Sequence, residues 1–126
     1  MKQTIVKGSN LVPEVTFDHQ LSEISIEGWS FSERPSQIFD PIFQIIEDHT
    51  ANLKSKLSIR VKLYCMNTAS SKCLVQMAEL LRIDQASYYG KFIWHYDELD
   101  EETKEWGEDI AVISGVPFDY QPYQNQ

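Results

Sequence analysis

A stretch of ten residues near the middle of the chain alternates apolar and polar side chains almost without exception. Between Leu57 and Met66 every second residue is apolar, and the intervening positions carry serine, arginine, lysine and tyrosine. A period of two is typical of a strand with one buried face. A run of residues that suit helix starts follows at 67–71, and apolar residues then recur at helical spacing as far as Ile83. The sequence therefore predicts a strand–turn–helix unit, which is the building block of α/β proteins.

Three further segments have strand patterns. Lys91–Tyr96 follows the first strand after an interval long enough for a right-handed crossover, which would make the two strands parallel. Alternation over Glu14–Asp18 and Leu21–Glu27 predicts an N-terminal hairpin, and Gly28 is expected to close it.

Two helices flank this unit in the sequence. Apolar residues at helical spacing predict a helix over 36–52, with Ser36 or Asp40 as its N-cap. Because Pro41 is costly inside a helix, we expect the regular helix to begin near Asp40. A second helix is predicted in the acidic segment from Asp97 to Asp109, which holds eight acidic residues and one lysine.

The acidic segment has a thin apolar stripe at helical spacing, so it is expected to dock onto the domain through Trp106. The stripe consists of Leu99, Thr103, Trp106 and Ile110. Its acidic residues would then form a solvated face, with a docking surface for a basic partner as the functional alternative.

The two ends of the chain are expected at the periphery. Residues 1–12 are polar and predict a loosely held arm or edge segment, whereas Phe118, Tyr120 and Tyr123 predict a short edge strand. A chain of 126 residues fits one domain. We therefore expect a single α/β domain over 1–126, with a mixed sheet of about five strands, an N-terminal hairpin and about three helices.

Charge and hydropathy exclude several classes of function. The chain has 11 basic and 19 acidic residues, a net charge of -8, which is opposite to what nucleic-acid binding requires. No apolar run is long enough to span a membrane and no signal-peptide pattern is present, so we expect a cytoplasmic protein without membrane insertion. Cys65 and Cys73 lack the spacing of a redox or zinc site and are expected to be reduced, buried packing residues.

The turn between the central strand and its helix is the strongest candidate site. Its sequence is Asn67-Thr68-Ala69-Ser70-Ser71-Lys72, and α/β sheets place functional groups at such strand ends. A phosphate on Thr68 would be favoured by the positive end of the helix dipole. Ser70 is an alternative acceptor, because it lies two residues away in the same turn. The simplest interpretation is that Asn67, Thr68 or Ser70 only caps the helix.

A second candidate lies at the end of the neighbouring strand. His95 and Asp97 are expected to emerge at the same sheet edge as Thr68, where they could form part of a partner surface. A Thr–His–Asp hydrolase is the enzymatic alternative, although the Gly-x-Ser-x-Gly pattern is absent. The simpler expectation is that His95 is a partly buried strand residue and that Asp97 caps the acidic helix.

No metal or cofactor is expected. His19 and His49 have no partner histidine or cysteine at ligand spacing, and the acidic segment lacks the carboxylate positions and glycine of an EF-hand.

Several separated motifs together resemble the SiaC-type biofilm-regulation phosphoprotein family, and the resemblance covers nearly the whole chain. The motifs are residues 67–74 (Asn-Thr-Ala-Ser-Ser-Lys-Cys-Leu), 94–97 (Trp-His-Tyr-Asp), 107–109 (Gly-Glu-Asp) and 117–118 (Pro-Phe), preceded by Arg34-Pro35, Phe39 and Pro41. The chain departs from the family's more common Asn-Thr-Ser-Ser pattern at Ala69, which leaves Thr68 in place.

This resemblance implies a STAS-like domain that acts as a non-enzymatic switch. A cognate serine/threonine kinase would phosphorylate Thr68, and a PP2C-type phosphatase would remove the phosphate. Asn67, Ser70, Ser71 and Lys72 would shape the helix N-terminus around it. The unmodified form would bind and activate a diguanylate cyclase, raising cyclic-di-GMP and promoting biofilm formation, and phosphorylation would break that complex. The alternative partner is a sigma-regulating kinase, as for an anti-sigma-factor antagonist.

Overall fold

The computed structural model describes residues 2–51, 56–83 and 88–124. Six strands and three helices follow one another along these residues. They are β1 (Lys2–Val6), β2 (Glu14–Asp18), β3 (Glu23–Ser30), α1 (Ser36–Ala51), β4 (Leu57–Met66), α2 (Thr68–Leu80), β5 (Gly90–Asp97), α3 (Glu101–Ser114) and β6 (Asp119–Tyr123).

All six strands form one mixed sheet in the order of the sequence. The pairs β1–β2 and β2–β3 are antiparallel, whereas β3–β4, β4–β5 and β5–β6 are parallel. Each parallel connection contains one helix, as a crossover requires. The predicted α/β class, the hairpin, the parallel central pair and the three helices are therefore confirmed.

The helices cover one face of the sheet and leave the other face open. Successive right-handed crossovers in one direction place their helices on the same side, and α2 packs beside both α1 and α3. Strand β4 shows the consequence, because Arg60, Lys62 and Tyr64 are partly exposed, whereas the residues that alternate with them are fully buried, namely Leu57, Ile59, Val61 and Leu63. Its bounds, Leu57–Met66, are those that alternation predicts.

The sheet has one more strand than expected because the first residues pair with β2. Lys2 lies opposite Asp18, so this segment is an edge strand, the more ordered of the two forms expected for residues 1–12. Gly28 does not close the hairpin. It lies inside β3 with φ of 131°, and the register with β4 shifts between Gly28 and Trp29, so the strand continues to Ser30.

Helix α1 spans Ser36–Ala51, which confirms the helix predicted over 36–52, but the expectation that its regular part begins near Asp40 is wrong. The amide of Ile38 donates to the carbonyl of Pro35 at 3.0 Å, and the first turn is therefore formed ahead of Pro41. Proline inside a helix costs about 3 kcal/mol. Burial of large apolar side chains, each worth about 1.5–3 kcal/mol, offsets this cost. The buried apolar residues of α1 are Ile38, Phe39, Ile42 and Ile46.

The start of α3 also differs from the prediction. Asp100 is the N-cap and accepts a hydrogen bond from the amide of Glu102 at 3.1 Å, whereas Asp97 lies before the helix. Leu99 is 87% exposed in the intervening turn, so it does not belong to the buried stripe, although Thr103 and Ile110 do. None of the helices in the described part of the chain is long and apolar enough to cross a membrane.

Candidate functional site

A groove of about 690 Å³ separates α2 from α3 at the edge where β4 ends. The end of β4, the first two turns of α2 and one side of α3 form it. Because helices that follow parallel strands begin at the carboxyl edge of the sheet, both helix N-termini lie at this edge. We call it the α2–α3 groove, and it is lined by Cys65, Met66, Asn67, Thr68, Ser71, Lys72, Val75, Glu102, Trp106, Asp109, Ile110 and Ile113.

Asn67 attaches the start of α2 to the end of β3. Its side-chain Oδ1 accepts a hydrogen bond from the amide of Ser70 at 2.9 Å, which caps the helix. Its Nδ2 donates to the carbonyl of Ser32 at 3.2 Å, and its own amide donates to the carbonyl of Ser30 at 3.0 Å. The expected capping role of Asn67 is therefore present, and this residue also holds the turn against the sheet.

Ser70 is fully buried below this turn. Its Oγ donates to the carbonyl of Ser30 at 3.0 Å and lies 2.7 Å from Ser30 Oγ. A hydroxyl in this position stabilises the junction of β3 and α2 and is closed to solvent.

Thr68 is exposed at the first position of α2. Ser71 Oγ donates to the carbonyl of Thr68 at 2.8 Å, and Lys72 is exposed one turn along the same helix. Amides in the first turn of a helix have no partner within the helix, so this end favours an anion. Of the two candidate acceptors, only Thr68 presents its side chain to solvent.

The second wall of the groove is held in place by a tryptophan from the sheet. Trp94 of β5 is fully buried, and its Nε1 donates to the carbonyl of Thr103 in α3 at 2.9 Å. Its ring also lies against Gly107. This anchorage turns Trp106 and Ile110 toward the groove. The sequence analysis missed this wall, although a glycine inside an otherwise regular helix pattern was a signal of close packing.

The groove combines an apolar interior with charged margins. Met66, Val75 and Ile110 are among its apolar residues. Glu102 and Asp109 contribute carboxylates from α3, and Lys72 contributes an ammonium from α2. Both acids are exposed to solvent, as the solvated face predicts, and they border the same groove as Thr68.

His95 and Asp97 do not join Thr68. The His95 ring is on the open face of the sheet, where Nε2 lies 3.3 Å from Arg60 Nη1. Partial burial, together with the positive charge of Arg60, lowers the pKa of His95. Asp97 accepts the amide of Leu99 at 2.9 Å in the turn before α3. Neither residue lines the α2–α3 groove, so the arrangement that a Thr–His–Asp hydrolase needs is not formed.

Cys65 and Cys73 are free thiols, as expected, but they are half-buried rather than buried, and Cys65 lines the α2–α3 groove. Burial raises the pKa of the Cys73 thiol, and the nearby Asp40 adds to that effect. Across residues 2–51, 56–83 and 88–124, no cluster of three or more histidine, cysteine or acidic residues could hold a metal ion.

Comparison with known proteins places this architecture among regulatory phosphoproteins. Residues 6–123 match the model of the SiaC family regulatory phosphoproteins, and the chain belongs to that family. An uncharacterized protein of Pseudomonas aeruginosa (strain UCBPP-PA14) is 25% identical over 126 residues, which covers 98% of each chain.

Two solved structures share the fold over nearly their whole length. One is SiaC of Pseudomonas aeruginosa in complex with the diguanylate cyclase SiaD, which it activates. Its TM-score is 0.84 at 25% identity, covering 94% of this chain and 98% of that one. The other is apo-SiaC from the same organism, with a TM-score of 0.79 at 22% identity and coverage of 99% for both chains.

Proposed function

We propose that this chain is a non-enzymatic switch that binds and activates a diguanylate cyclase when Thr68 is unmodified and releases it when Thr68 is phosphorylated. The observation that carries the proposal is the exposed Thr68 hydroxyl beside an apolar groove, in a SiaC-family chain. The crystal structure of a SiaC with its cyclase supports the choice of partner. We infer that the switch acts in the cytoplasm, where the cyclase substrate GTP is available, and thereby controls cyclic-di-GMP and biofilm formation.

The α2–α3 groove has the properties of a protein-binding surface. Trp106 and Ile113 line it, and Ile113 is largely exposed. Aromatic residues that are half-covered in a concave surface are frequent anchors of protein interfaces. An apolar segment of the cyclase that enters the groove would cover Ile113 and remove the rest of Trp106 from water.

Phosphorylation would make this binding unfavourable for two reasons. A phosphate adds about -1.5 to -2 charges beside the apolar surface, and a partner would have to desolvate them. Glu102 and Asp109 line the same groove, so the phosphate would add to charges of its own sign. Lys72 lies four residues from Thr68 on α2, which is the spacing at which two side chains of one helix meet. Its ammonium could therefore hold the phosphate at the start of the helix. A loss of about 3 kcal/mol would weaken binding by more than a hundredfold.

The switch requires an enzyme to add the phosphate and another to remove it. We propose a cognate serine/threonine kinase and a PP2C-type phosphatase, as the family resemblance implies. Exposure of Thr68 is compatible with both enzymes, whereas Ser70 would have to leave the junction of β3 and α2 to enter a kinase site.

The test is a reconstituted assay with a diguanylate cyclase from the same organism. Cyclic-di-GMP formation from GTP is measured with wild-type protein, Thr68→Ala, Thr68→Glu and the matched charge control Thr4→Glu, at an exposed threonine of β1 outside the groove. We expect activation by wild type, Thr68→Ala and Thr4→Glu, and little activation by Thr68→Glu. Equal activation by Thr68→Ala and Thr68→Glu would contradict control by charge at Thr68. If no variant activates the cyclase, the choice of partner is wrong.

A further inference from the structure

The open face of the sheet, on the side away from the helices, carries a second concave site. Its volume is about 330 Å³. We call it the aromatic cleft, and it is lined by Gly8, Ser9, Val12, Glu14, Glu27, Gly28, Trp29 and Tyr64.

Two aromatic rings and a carboxylate line one side of the aromatic cleft. The ring centroids of Trp29 and Tyr64 are 5.0 Å apart, and the ring planes are tilted by 52°. Tyr64 Oη donates to Glu27 Oε2 at 3.3 Å, so the ring and the carboxylate hold each other in position. Trp29 is 45% exposed, so nearly half of this residue is accessible to a ligand in the cleft.

An irregularity of the strands produces this arrangement. The register between β3 and β4 shifts after Gly28, so that Trp29 lies opposite Cys65 and Tyr64 becomes an extra residue of β4. Gly28 has φ of 131°, a conformation that other residues rarely adopt. Bulges of this kind re-aim side chains and are frequent beside functional sites.

The chemistry of the cleft suits a cation. Aromatic faces attract cations, and Glu14 and Glu27 add two carboxylates. No ion pair to either carboxylate is present in the described part of the chain. The same face of the sheet already holds one cation–π contact within the chain, since Lys62 Nζ lies 4.4 Å from the centre of the Tyr123 ring.

We propose that the aromatic cleft binds an arginine side chain presented by a partner protein. A guanidinium is planar and weakly hydrated, so it can stack on Trp29 while its N–H groups donate to Glu27. The net charge of -8 and the two carboxylates disfavour an anionic lipid surface or a nucleic acid as the occupant. The cleft opens on the face of the sheet that the helices leave uncovered, although its Trp29 pairs with Cys65, which lines the α2–α3 groove.

The test is an NMR titration of the isotope-labelled full chain with the capped amino acid N-acetyl-arginine methylamide. The control probe is N-acetyl-glutamine methylamide, which is neutral and of similar polarity. We expect saturable shifts of the Trp29 indole N–H and the Gly28 amide with the arginine probe only, with an affinity in the millimolar range. The indole signals of Trp94 and Trp106 serve as internal references and should stay in place.

Two variants locate the site. Glu27→Gln should weaken binding by about fivefold, since an exposed cation–π or ion-pair contact is worth about 1 kcal/mol. Glu47→Gln, which removes an exposed carboxylate from α1, should leave the affinity unchanged. Absence of a saturable Trp29 shift, equal shifts with both probes, an unchanged affinity of Glu27→Gln, or shifts concentrated on residues 101–109 would each overturn the proposal.

Discussion

The indole ring of Trp94 lies directly against the backbone of Gly107. A Cβ atom at position 107 would fall 2.5 Å from the indole Cγ and Cδ1 atoms. Since Trp94 Nε1 also donates to the carbonyl of Thr103 one turn earlier, the same side chain fixes both the distance and the rotation of α3. The position of α3, which forms one wall of the α2–α3 groove, therefore depends on the absence of a side chain at Gly107.

We expect Gly107→Ala to destabilise the domain. Inserting a methyl group into a filled site costs about 1–3 kcal/mol. Because the added Cβ would meet a fully buried ring, we expect a cost in the upper part of this range, above the gain of about 1 kcal/mol that alanine brings over glycine in a helix. The free energy of unfolding from urea titration checks the sign. Glu105→Ala, an exposed position on the same helix, is the control and should change stability by less than about 0.5 kcal/mol. A stabilised Gly107→Ala would contradict the close packing.

The two functions of the Asn67 side chain can be separated by substitution. Asn67→Ala removes the cap and the bond to Ser32, so the free energy of unfolding should fall by about 1–2 kcal/mol. Asn67→Asp retains an acceptor for the amide of Ser70 and loses only the donor to Ser32, so we expect a smaller loss. The denaturant midpoints of the wild type, Asn67→Asp and Asn67→Ala give their order of stability. Equal stability of the alanine and wild-type proteins would show that this side chain does not stabilise the junction.

Truncation of Ser70 should destabilise the domain far more than truncation of Thr68. Ser70→Ala leaves the buried Ser30 hydroxyl without its 2.7 Å partner, and we expect a loss of about 1–3 kcal/mol. Thr68→Ala removes an exposed hydroxyl and should change stability by less than about 0.5 kcal/mol. Thermal unfolding of both variants provides the comparison. A strongly destabilised Thr68→Ala would mean that Thr68 has a structural role, and functional assays with that variant would need reinterpretation.

His95 should make the domain less stable in mild acid. Partial burial and then the charge of Arg60 lower its pKa in the folded state below the ordinary value of 6.5. The unfolded chain therefore binds the proton more readily, and stability falls as the pH drops below about 6.5. His95→Gln should reduce this slope, as measured by urea unfolding at a series of pH values. An unchanged slope in the variant would assign the acid sensitivity to other groups.

Period-two alternation was the most reliable guide to the fold. Strand β4 has its predicted bounds because one of its faces is buried under helices and the other is open, which imposes strict alternation. Strand β3 was truncated in the prediction because Gly28 was interpreted as a turn, although here it serves a bulge inside the strand. Asp97 was predicted to cap α3, but Asp100, three residues later in the same acidic run, has that position. The local sequence did not show which of these two aspartates would cap the helix.

The candidate site was predicted in part. The order of strand, capping residues and helix was enough to place Thr68 at a helix start on the carboxyl edge of the sheet. The groove itself depends on how closely α3 approaches α2, which is decided by the contact between Trp94 and Gly107. His95 was expected at the edge with Thr68, yet the pleat directs its side chain to the open face, next to Arg60.

The most direct test of the switch is the affinity of the unmodified and the phosphorylated chain for the same diguanylate cyclase. Phosphothreonine is incorporated at position 68 during synthesis, so that no kinase is needed, and both forms are titrated into the cyclase by calorimetry. We predict binding of the unmodified chain and an affinity at least about a hundredfold lower for the phosphorylated chain, in line with a loss of about 3 kcal/mol. Equal affinities of the two forms would contradict control of the cyclase by phosphorylation of Thr68.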